Sequence, residues 1–405
     1  MPQVLEGFRI ADFTHVLSGP IATHFLRLFG ADVVKVESDG GDTMRNYGID
    51  QTYQGMAPPF VSVNAGKRSI VLDLKSEAGR GAARRLIATA DVVIENFRPG
   101  VMARLGLGYD DCRKIKPDII FCSISGFGQS GPLKGNPAID QIIQSASGLM
   151  SLSGEPGSPP MRIGFPVVDT FSGLLAAFAV VSALLRRQRF GGGQHIDLAM
   201  LDASMLMMIS VIGPYLVNGR KPEKQGNRGY SLSPTADTFP TAKGSITIGA
   251  VRQEQFERLC NVLGCPGVVA DPRFANKETR IANGDALRAE MIKAFAIRPA
   301  EEWEPLLNAA SVAAGVVRDI PDAIAHPHLD GRDLKIPIAV PGLPREHVEI
   351  LNAGFRLAYD PPGVDQPPPR LGEHTREILV ELGYRPDEID AIIGQGAASH
   401  VTTAA

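Results

Sequence analysis

The 405-residue chain is short of the features that would place it in a specialised class. Its four cysteines, Cys112, Cys122, Cys260 and Cys265, show neither Cys-x-x-Cys spacing nor a neighbouring histidine pattern, which argues for buried thiols over a disulfide framework or a zinc site. An excess of one charge is missing too: 41 basic residues face 44 acidic ones, a net charge of -3. That balance leaves no electrostatic footprint for nucleic acid or an anionic membrane, so a polyanionic ligand has to be held by a local cluster. Long apolar runs are also lacking. Residues 170–185 and 203–219 are uncharged, but each falls short of about 18 consecutive apolar residues and is broken by serines or by a Pro-Tyr pair, so both are expected to be core helices. The first ten residues lack the basic flank and apolar core of a signal peptide and the acid-poor pattern of a transit peptide. The expected location is the cytoplasm.

What is present is an alternation of apolar runs and helix-forming stretches. Residues 8–14, 31–37, 68–74, 91–97 and 118–125 read as buried strands. Between the first two lies a helix over 20–29 with Pro20 at its first position and Gly30 as its stop, and Ser76 caps another that runs to about Ala90. Strands alternating with helices over short connections define an α/β fold with a doubly wound, mostly parallel sheet. Ligands of such a sheet bind beyond the carboxyl ends of the strands. Those ends are His15, Val16, Leu17 and Ser18, then Leu74 and Lys75, then Asn96, Phe97 and Arg98, and finally Gly126 to Gly128. Lys75, Arg98 and the nearby Arg104 place cations along that edge, which suits a phosphate-bearing cofactor. A dinucleotide fits poorly, because the first strand-to-helix turn lacks Gly-x-Gly-x-x-Gly. The literal match at 126–131 follows the fifth strand with no clear helix behind it.

Beyond Gly219 the texture changes. A polar stretch, 220–230, leads to a smaller unit with strands near 236–239 and 245–249 and helices from Gln253 to about Ala314. Proline- and glycine-rich runs near 341–344 and 361–369 force extended backbone. Helices are expected at 375–382 and 386–393, before a small-residue tail that should be loose.

One carboxylate stands out. Asp169 sits where the apolar extended run 165–168 meets a helix expected to begin near Thr170. An Asp immediately before a helix is commonly its N-cap. The same position favours an ionised nucleophile, and the free amides of the helix start would stabilise an oxyanion formed by its attack on a carbonyl. Local sequence leaves both roles open.

Taken together, these segments resemble the family III CoA-transferases. The similarity runs through Asp12-Phe-Thr-His-Val with Gly19-Pro20, Gly30 to Glu37, Asn64 to Lys75, Glu95-Asn-Phe-Arg-Pro-Gly100, Leu105 to Tyr109, Ser123 to Pro132, and Pro367 to Thr375. Family members use one aspartate as nucleophile in the segment matching Arg162 to Asp169, so the resemblance implies that Asp169 is catalytic. It implies coenzyme A contacts at His15, Val16, Leu17, Ser18, Leu72, Lys75, Asn96, Phe97, Arg98, Arg104 and Asp140, with CoA entering as an acyl-CoA substrate and no metal. It further implies an interlocked homodimer. A Rossmann-like large domain would be built from 1–219 and 328–405, with a smaller α/β domain, 220–327, inserted. The implied activity moves CoA from an acyl-CoA to a free carboxylic acid through an Asp169 anhydride and an aspartyl-CoA thioester.

The same family contains α-methylacyl-CoA racemases, which carry a histidine in the segment matching Asn136 to Asp140. Here that place is Ile139, and two-base proton transfer loses a partner. The formyl-CoA:oxalate branch has a glycine run that is reduced to two glycines within Gln225 to Tyr230, and Leu17 replaces a glutamine of that branch. The leading expectation is therefore succinyl-CoA as donor and a C4 to C6 dicarboxylate as acceptor, with Arg162 and Arg228 meeting its far carboxylate. A racemase and a non-catalytic CoA-binding protein are the alternatives.

Overall fold

The computed structural model of the chain describes residues 3–48 and 51–399. In chain order its elements are β1 (Arg9–Phe13), α1 (Ser18–Leu28), β2 (Asp32–Glu37), α2 (Pro58–Asn64), β3 (Arg68–Leu72), α3 (Glu77–Thr89), β4 (Val92–Glu95), α4 (Val101–Arg104), α5 (Tyr109–Ile115), β5 (Ile120–Ser125), α6 (Asp140–Ala146), α7 (Val167–Phe190), β6 (Gln194–Ala199), α8 (Met200–Met207) and α9 (Ile209–Asn218). Then come β7 (Thr238–Pro240), β8 (Ser245–Ile248), α10 (Gln253–Val262), α11 (Pro266–Ala270), α12 (Lys277–Ala282), α13 (Gly284–Phe295), α14 (Ala300–Ala309), β9 (Ala314–Val316) and α15 (Ile320–Ile324). The chain closes with β10 (Lys335–Ala339), β11 (His347–Leu351), α16 (Thr375–Glu381), α17 (Pro386–Gly394) and β12 (Ala398–Ser399).

The main sheet has seven strands in the order β12-β3-β2-β1-β4-β5-β6. Every neighbouring pair is parallel except β12 on β3. Strands β1 to β5 are apolar runs buried almost throughout, because helices cover both faces. On one face α3, α5, α16 and α17 close a core around Phe13, Leu86, Phe121 and Leu379. Helices α1 and α7 pack on each other and on strands of this sheet. Strand order reverses between β1 and β4, which is where a doubly wound sheet opens its ligand crevice.

The chain divides into two compact units: one holds residues up to Leu149, Ile163–Asn218 and everything from Pro327 on, the other Met150–Arg162 and Gly219–His326. The second unit thus claims a segment, 150–162, that the sequence leaves in the first. Its core gathers Phe239, Phe256, Phe295 and Trp303 around the antiparallel sheet β7-β8-β9. The four cysteines are free thiols. Cys260 and Cys265 belong to the turn that ends α10, where the Cys265 amide donates to the Cys260 carbonyl at 2.9 Å after Gly264 at φ 69°.

Several elements differ from expectation for identifiable reasons. Helix α7 begins at Val167 and runs for 24 residues, so by length and composition alone it could cross a membrane. One side of it is nevertheless buried against α1 and the sheet, the mark of a core helix. The apolar stretch 203–219 is two helices, α8 and α9, bent by 81° at Met208. Strand β9 is Ala-Gly-Val, a poor strand former recruited by pairing with β8. The Pro-Gly run at 341–344 lies in the connection of an unforeseen hairpin, β10 with β11. Ala398 and Ser399, expected to be loose, pair with Leu72 and Val71; the rest of that tail, 400–405, lies outside the described residues.

Beneath the crevice lies a buried ionic cluster. Lys67 donates to Asn64 at 2.8 Å, Thr23 at 2.7 Å, the Pro20 carbonyl at 3.1 Å and Asp12 at 3.3 Å, tying β1, α1 and α2 together. Burial pushes its ammonium down to about 8, although the Asp12 charge works the other way. Lys67→Met would strip the buried Asp12 carboxylate of a partner at a cost of about 3–5 kcal/mol. Urea unfolding should show a midpoint well below that of the parent, with an unchanged slope.

Candidate active site

The turn after β1 is pinned residue by residue. Lys35 donates to the Thr14 carbonyl at 2.8 Å. Asn96, just after β4, accepts from the His15 amide at 2.9 Å and donates to the His15 carbonyl at 2.8 Å. Asp42 accepts from the Val16 amide at 3.1 Å. Held by these bonds, Val16 sits at φ 67°, left-handed backbone that a β-branched residue takes only when its surroundings impose it. The loops after β1 and β4 are thereby cross-linked across the switch point, and the rings of His15 and Phe97 lie 5.2 Å apart. Burial holds the His15 imidazole below its ordinary range.

Helix α1 starts two residues earlier than Pro20, with Leu17 as its cap and Ser18 as its first residue. Pro20 therefore stands third, and Ser18 is buried at the point where α1 meets α7. Asp169 is likewise not an N-cap. It is the third residue of α7, whose cap is Pro166. The amides of that first turn are already used: Val167 donates to the Phe165 carbonyl at 2.8 Å and Thr170 to the Pro166 carbonyl at 3.1 Å. Val168 and Asp169 donate to one oxygen of Asp140 at 2.8 and 3.1 Å. The expected oxyanion donors at the start of α7 are thus occupied, and the capping carboxylate comes from α6.

The other Asp140 oxygen accepts from Gln144 at 2.6 Å, while Gln144 accepts from the Ile163 amide at 2.9 Å. Both Asp140 oxygens are therefore engaged with protein donors, a structural task beside the contact with CoA that the resemblance implies for it. Asp169 feels the consequence. Burial first, and the Asp140 charge second, raise its carboxyl from 3.8 to about 7, against the opposing pull of the Ser18 side chain.

A second perturbed carboxyl borders the crevice and was not foreseen. Glu95 ends β4, accepts from the Phe97 amide at 2.8 Å, and is raised to about 7 mainly by burial, with Asp197 adding to the shift and a Ser123 hydrogen bond opposing it. Ser123 in turn meets the His195 ring at 3.0 Å. The available signal was an acidic residue closing an apolar strand beside Asn96-Phe97-Arg98.

The cations expected along the crevice all lie on the carboxyl edge of the sheet. Lys75 follows β3 and Arg98 follows β4, three strand spacings or about 14 Å away. Both are exposed, as is Arg104 on α4, whose guanidinium lies over Gly100. Leu72 is buried at the end of β3 and Leu17 is half-buried. Arg162 and Arg228 belong to the second unit, where Arg228 meets Asp285 at 3.5 Å. No group of three potential metal ligands occurs among the described residues.

Comparison with known proteins gives a consistent set of relatives. The model of CoA-transferase family III matches residues 5–375. A succinate–glutarate CoA-transferase of Agrobacterium fabrum is 37% identical over 401 residues, covering 93% of this chain and 95% of that protein. An acetyl-CoA:oxalate CoA-transferase of Acetobacter aceti is 38% identical over 380 residues, covering 93% of this chain and 95% of its own length. Among solved structures, a CaiB/BaiF family protein from Brucella suis superposes with a TM-score of 0.86 at 35% identity, covering 94% of this chain and all 100% of that one.

Because folding raises the Asp169 carboxyl, its ionisation is a stability cost that is absent below about pH 4, grows between about 4 and 7, and is complete above. Asp169→Asn removes that cost. Its melting temperature should exceed the parent's at pH 8, by the equivalent of about 2 kcal/mol after discounting partial exposure, and converge with it near pH 4.

Proposed function

The chain belongs to CoA-transferase family III and is a CoA-transferase, and from that premise we propose that it moves CoA from succinyl-CoA to a dicarboxylate acceptor through covalent catalysis at Asp169. The observation that carries the reading is Asp169 itself, a half-buried carboxyl raised to about 7 beside the switch point of the sheet. A carboxylate held out of water is a stronger nucleophile than one in water, and the pocket that shields it protects an anhydride from hydrolysis.

In the first step an Asp169 oxygen attacks the thioester carbonyl, the C–S bond breaks, and CoA leaves as thiolate with the electron pair. The thiolate then attacks the Asp169 carbonyl of the anhydride, forming a β-aspartyl-CoA thioester and releasing the donor as carboxylate. The acceptor carboxylate attacks that thioester and expels the thiolate again. Attack by the thiolate on the acceptor's acyl carbon yields the new acyl-CoA and restores Asp169. Oxyanions along this path are served by α1 rather than α7, since among the described residues nothing accepts from the Ser18 and Gly19 amides at the start of α1. The CoA phosphates lie on Lys75, Arg98 and Arg104, and its thiol end passes His15, Val16, Leu17 and Ser18 between the cross-linked loops, with Leu72, Asn96 and Phe97 lining the path.

The names of relatives support succinyl-CoA and a diacid, and one of them keeps oxalate in view as acceptor. The racemase reading loses support at Ile139, an exposed aliphatic residue just before α6. A passive CoA-binding role gives no reason for a nucleophile kept at a cost to stability.

We extend the proposal to an interlocked homodimer in which the second unit is an inserted domain. Its support is an apolar stripe on α7, Leu174, Phe178, Val181 and Leu185, 43–68% exposed at helical spacing, together with α9, on which no residue is buried. A second copy of the chain is the occupant that family membership favours. Four free thiols suit a reducing, cytoplasmic setting.

Incubation with succinyl-CoA and hydroxylamine followed by peptide mapping should find a hydroxamate at Asp169, and transfer should then proceed to C4 to C6 diacids ahead of oxalate. An unmodified Asp169 in protein that binds CoA would overturn the mechanism. Sedimentation should give twice the chain mass, and Phe178→Glu should lower it.

A further inference from the structure

Helices α1 and α7 touch along small residues, and one of them leaves no room at all. A Cβ added at Gly173 would lie 2.6 Å from the Ser18 carbonyl oxygen and 2.7 Å from Ile21 Cβ. Neither is the end of a flexible chain, so α1 would have to move away from α7. Gly173 stands four residues after Asp169, one turn along the same face of α7. The closeness that Gly173 permits is therefore what brings the first residue of α1 onto the carboxyl of Asp169. The Ser18 side chain, which is 4% exposed, is thereby set beside that carboxyl and favours its charged form.

We propose that Ser18 is a further catalytic residue, whose hydroxyl donates to one oxygen of the Asp169 carboxylate and leaves the other to attack, and that Gly173 is the positioning residue that makes this contact possible. The inference rests on the reading of Asp169 as nucleophile.

Three influences bear on the charge of Asp169. Burial and the Asp140 carboxylate oppose ionisation, and Ser18 is the one that favours it. Asp140 is held in place, because one of its oxygens accepts from two amides of α7. The hydroxyl thus counterbalances the neighbouring anion. It also breaks the equivalence of the two carboxylate oxygens, since the bonded oxygen is the weaker nucleophile and stays behind as the carbonyl or its oxyanion when the free one is acylated. An alanine at 18 would leave the Asp169 carboxylate with buried repulsion on one side and no donor on the other.

The experiment is the pH dependence of kcat/KM for succinyl-CoA between pH 5.5 and 9.5 in the whole protein, for the parent, Ser18→Ala, Gly173→Ala and the double variant. Loss of one hydrogen bond to a charged group lowers the rate about tenfold at pH 7. If Ser18 acts through ionisation, the rising limb moves to higher pH and much of the loss is recovered by pH 9, whereas a misfolded or loosened site loses rate equally at every pH. Gly173→Ala should move the limb in the same direction, and the double variant should be little worse than the poorer single one, because both remove the same contact. Ser18→Thr, which keeps the hydroxyl, should restore the parental limb. A limb that stays in place in Ser18→Ala overturns the proposal, and so does full additivity of the two variants. Hydroxamate trapping on each variant separates the two readings: label at Asp169 with an unmoved limb removes the role of Ser18 alone, while absence of label from the parent removes the nucleophile itself.

Discussion

One Asp140 oxygen accepts the amides of both Val168 and Asp169, and that contact decides where α7 begins as well as what its third residue can do. A carboxylate at a helix start normally belongs to the helix or to the residue before it. Here it is supplied from α6, so the position inside the first turn is released from capping and can face the crevice. The same contact brings two carboxyl groups together in a partly desolvated place. The first-turn amides that would soften the repulsion are spent on the cap, leaving Asp169 with burial and Asp140 on one side and Ser18 on the other.

Such an arrangement is expensive, and the rest of the first unit is built to bear it. Lys35, Lys67, Asp12 and Asp42 form a buried cluster directly beneath the loop after β1. Each fixes a backbone or side-chain atom of that loop or of α1, which is why Val16 can stay at positive φ and why α1 enters at the angle that sets Ser18 against Asp169. Lys67 reaches the Pro20 carbonyl, so the cluster grips the first turn of α1 itself. A rigid ionic floor holds a turn, the turn aims a helix, and the helix meets Asp169.

How much of this was legible depends on the distance over which each cause acts. The parallel strands were readable because burial on both faces writes itself as unbroken apolar runs, and Ser76 was readable as a cap because it bonds to Gly79, three residues on. Asp169 was conspicuous as an acid at an apolar junction, and the family resemblance gave it its role. The start of α7 is displaced from expectation because its capping carboxylate, that of Asp140, is 28 residues from Val168 in the chain. The start of α1 was drawn to Pro20 by the preference of proline for a first position, whereas the Leu17 carbonyl, accepting from Ile21 at 2.9 Å, opens the helix earlier. Ser18 is expected at the crevice from the sequence, but its approach to Asp169, like the place of Glu95 beside the crevice, depends on strand order and helix crossing, neither of which a single sequence states. The membership of 150–162 in the second unit was invisible for the same reason.

Burial that raises the Asp169 carboxyl to about 7 acts on more than its protonation. It penalises the charged form relative to any neutral one, and an anhydride or a thioester at Asp169 is as neutral as the acid. The repulsion from Asp140 is therefore relieved when the carboxylate is acylated, as it is when the carboxylate takes up a proton. A shift of about three units corresponds to roughly 4 kcal/mol between charged and neutral forms, an upper bound for a group that keeps some contact with solvent. In the proposed reaction that difference offsets part of the cost of making an anhydride from a thioester. Too large a shift would leave the nucleophile protonated and idle at neutral pH, and too small a one would leave the covalent intermediates unfavoured. A hydroxyl on one side and a carboxylate on the other place Asp169 between these limits.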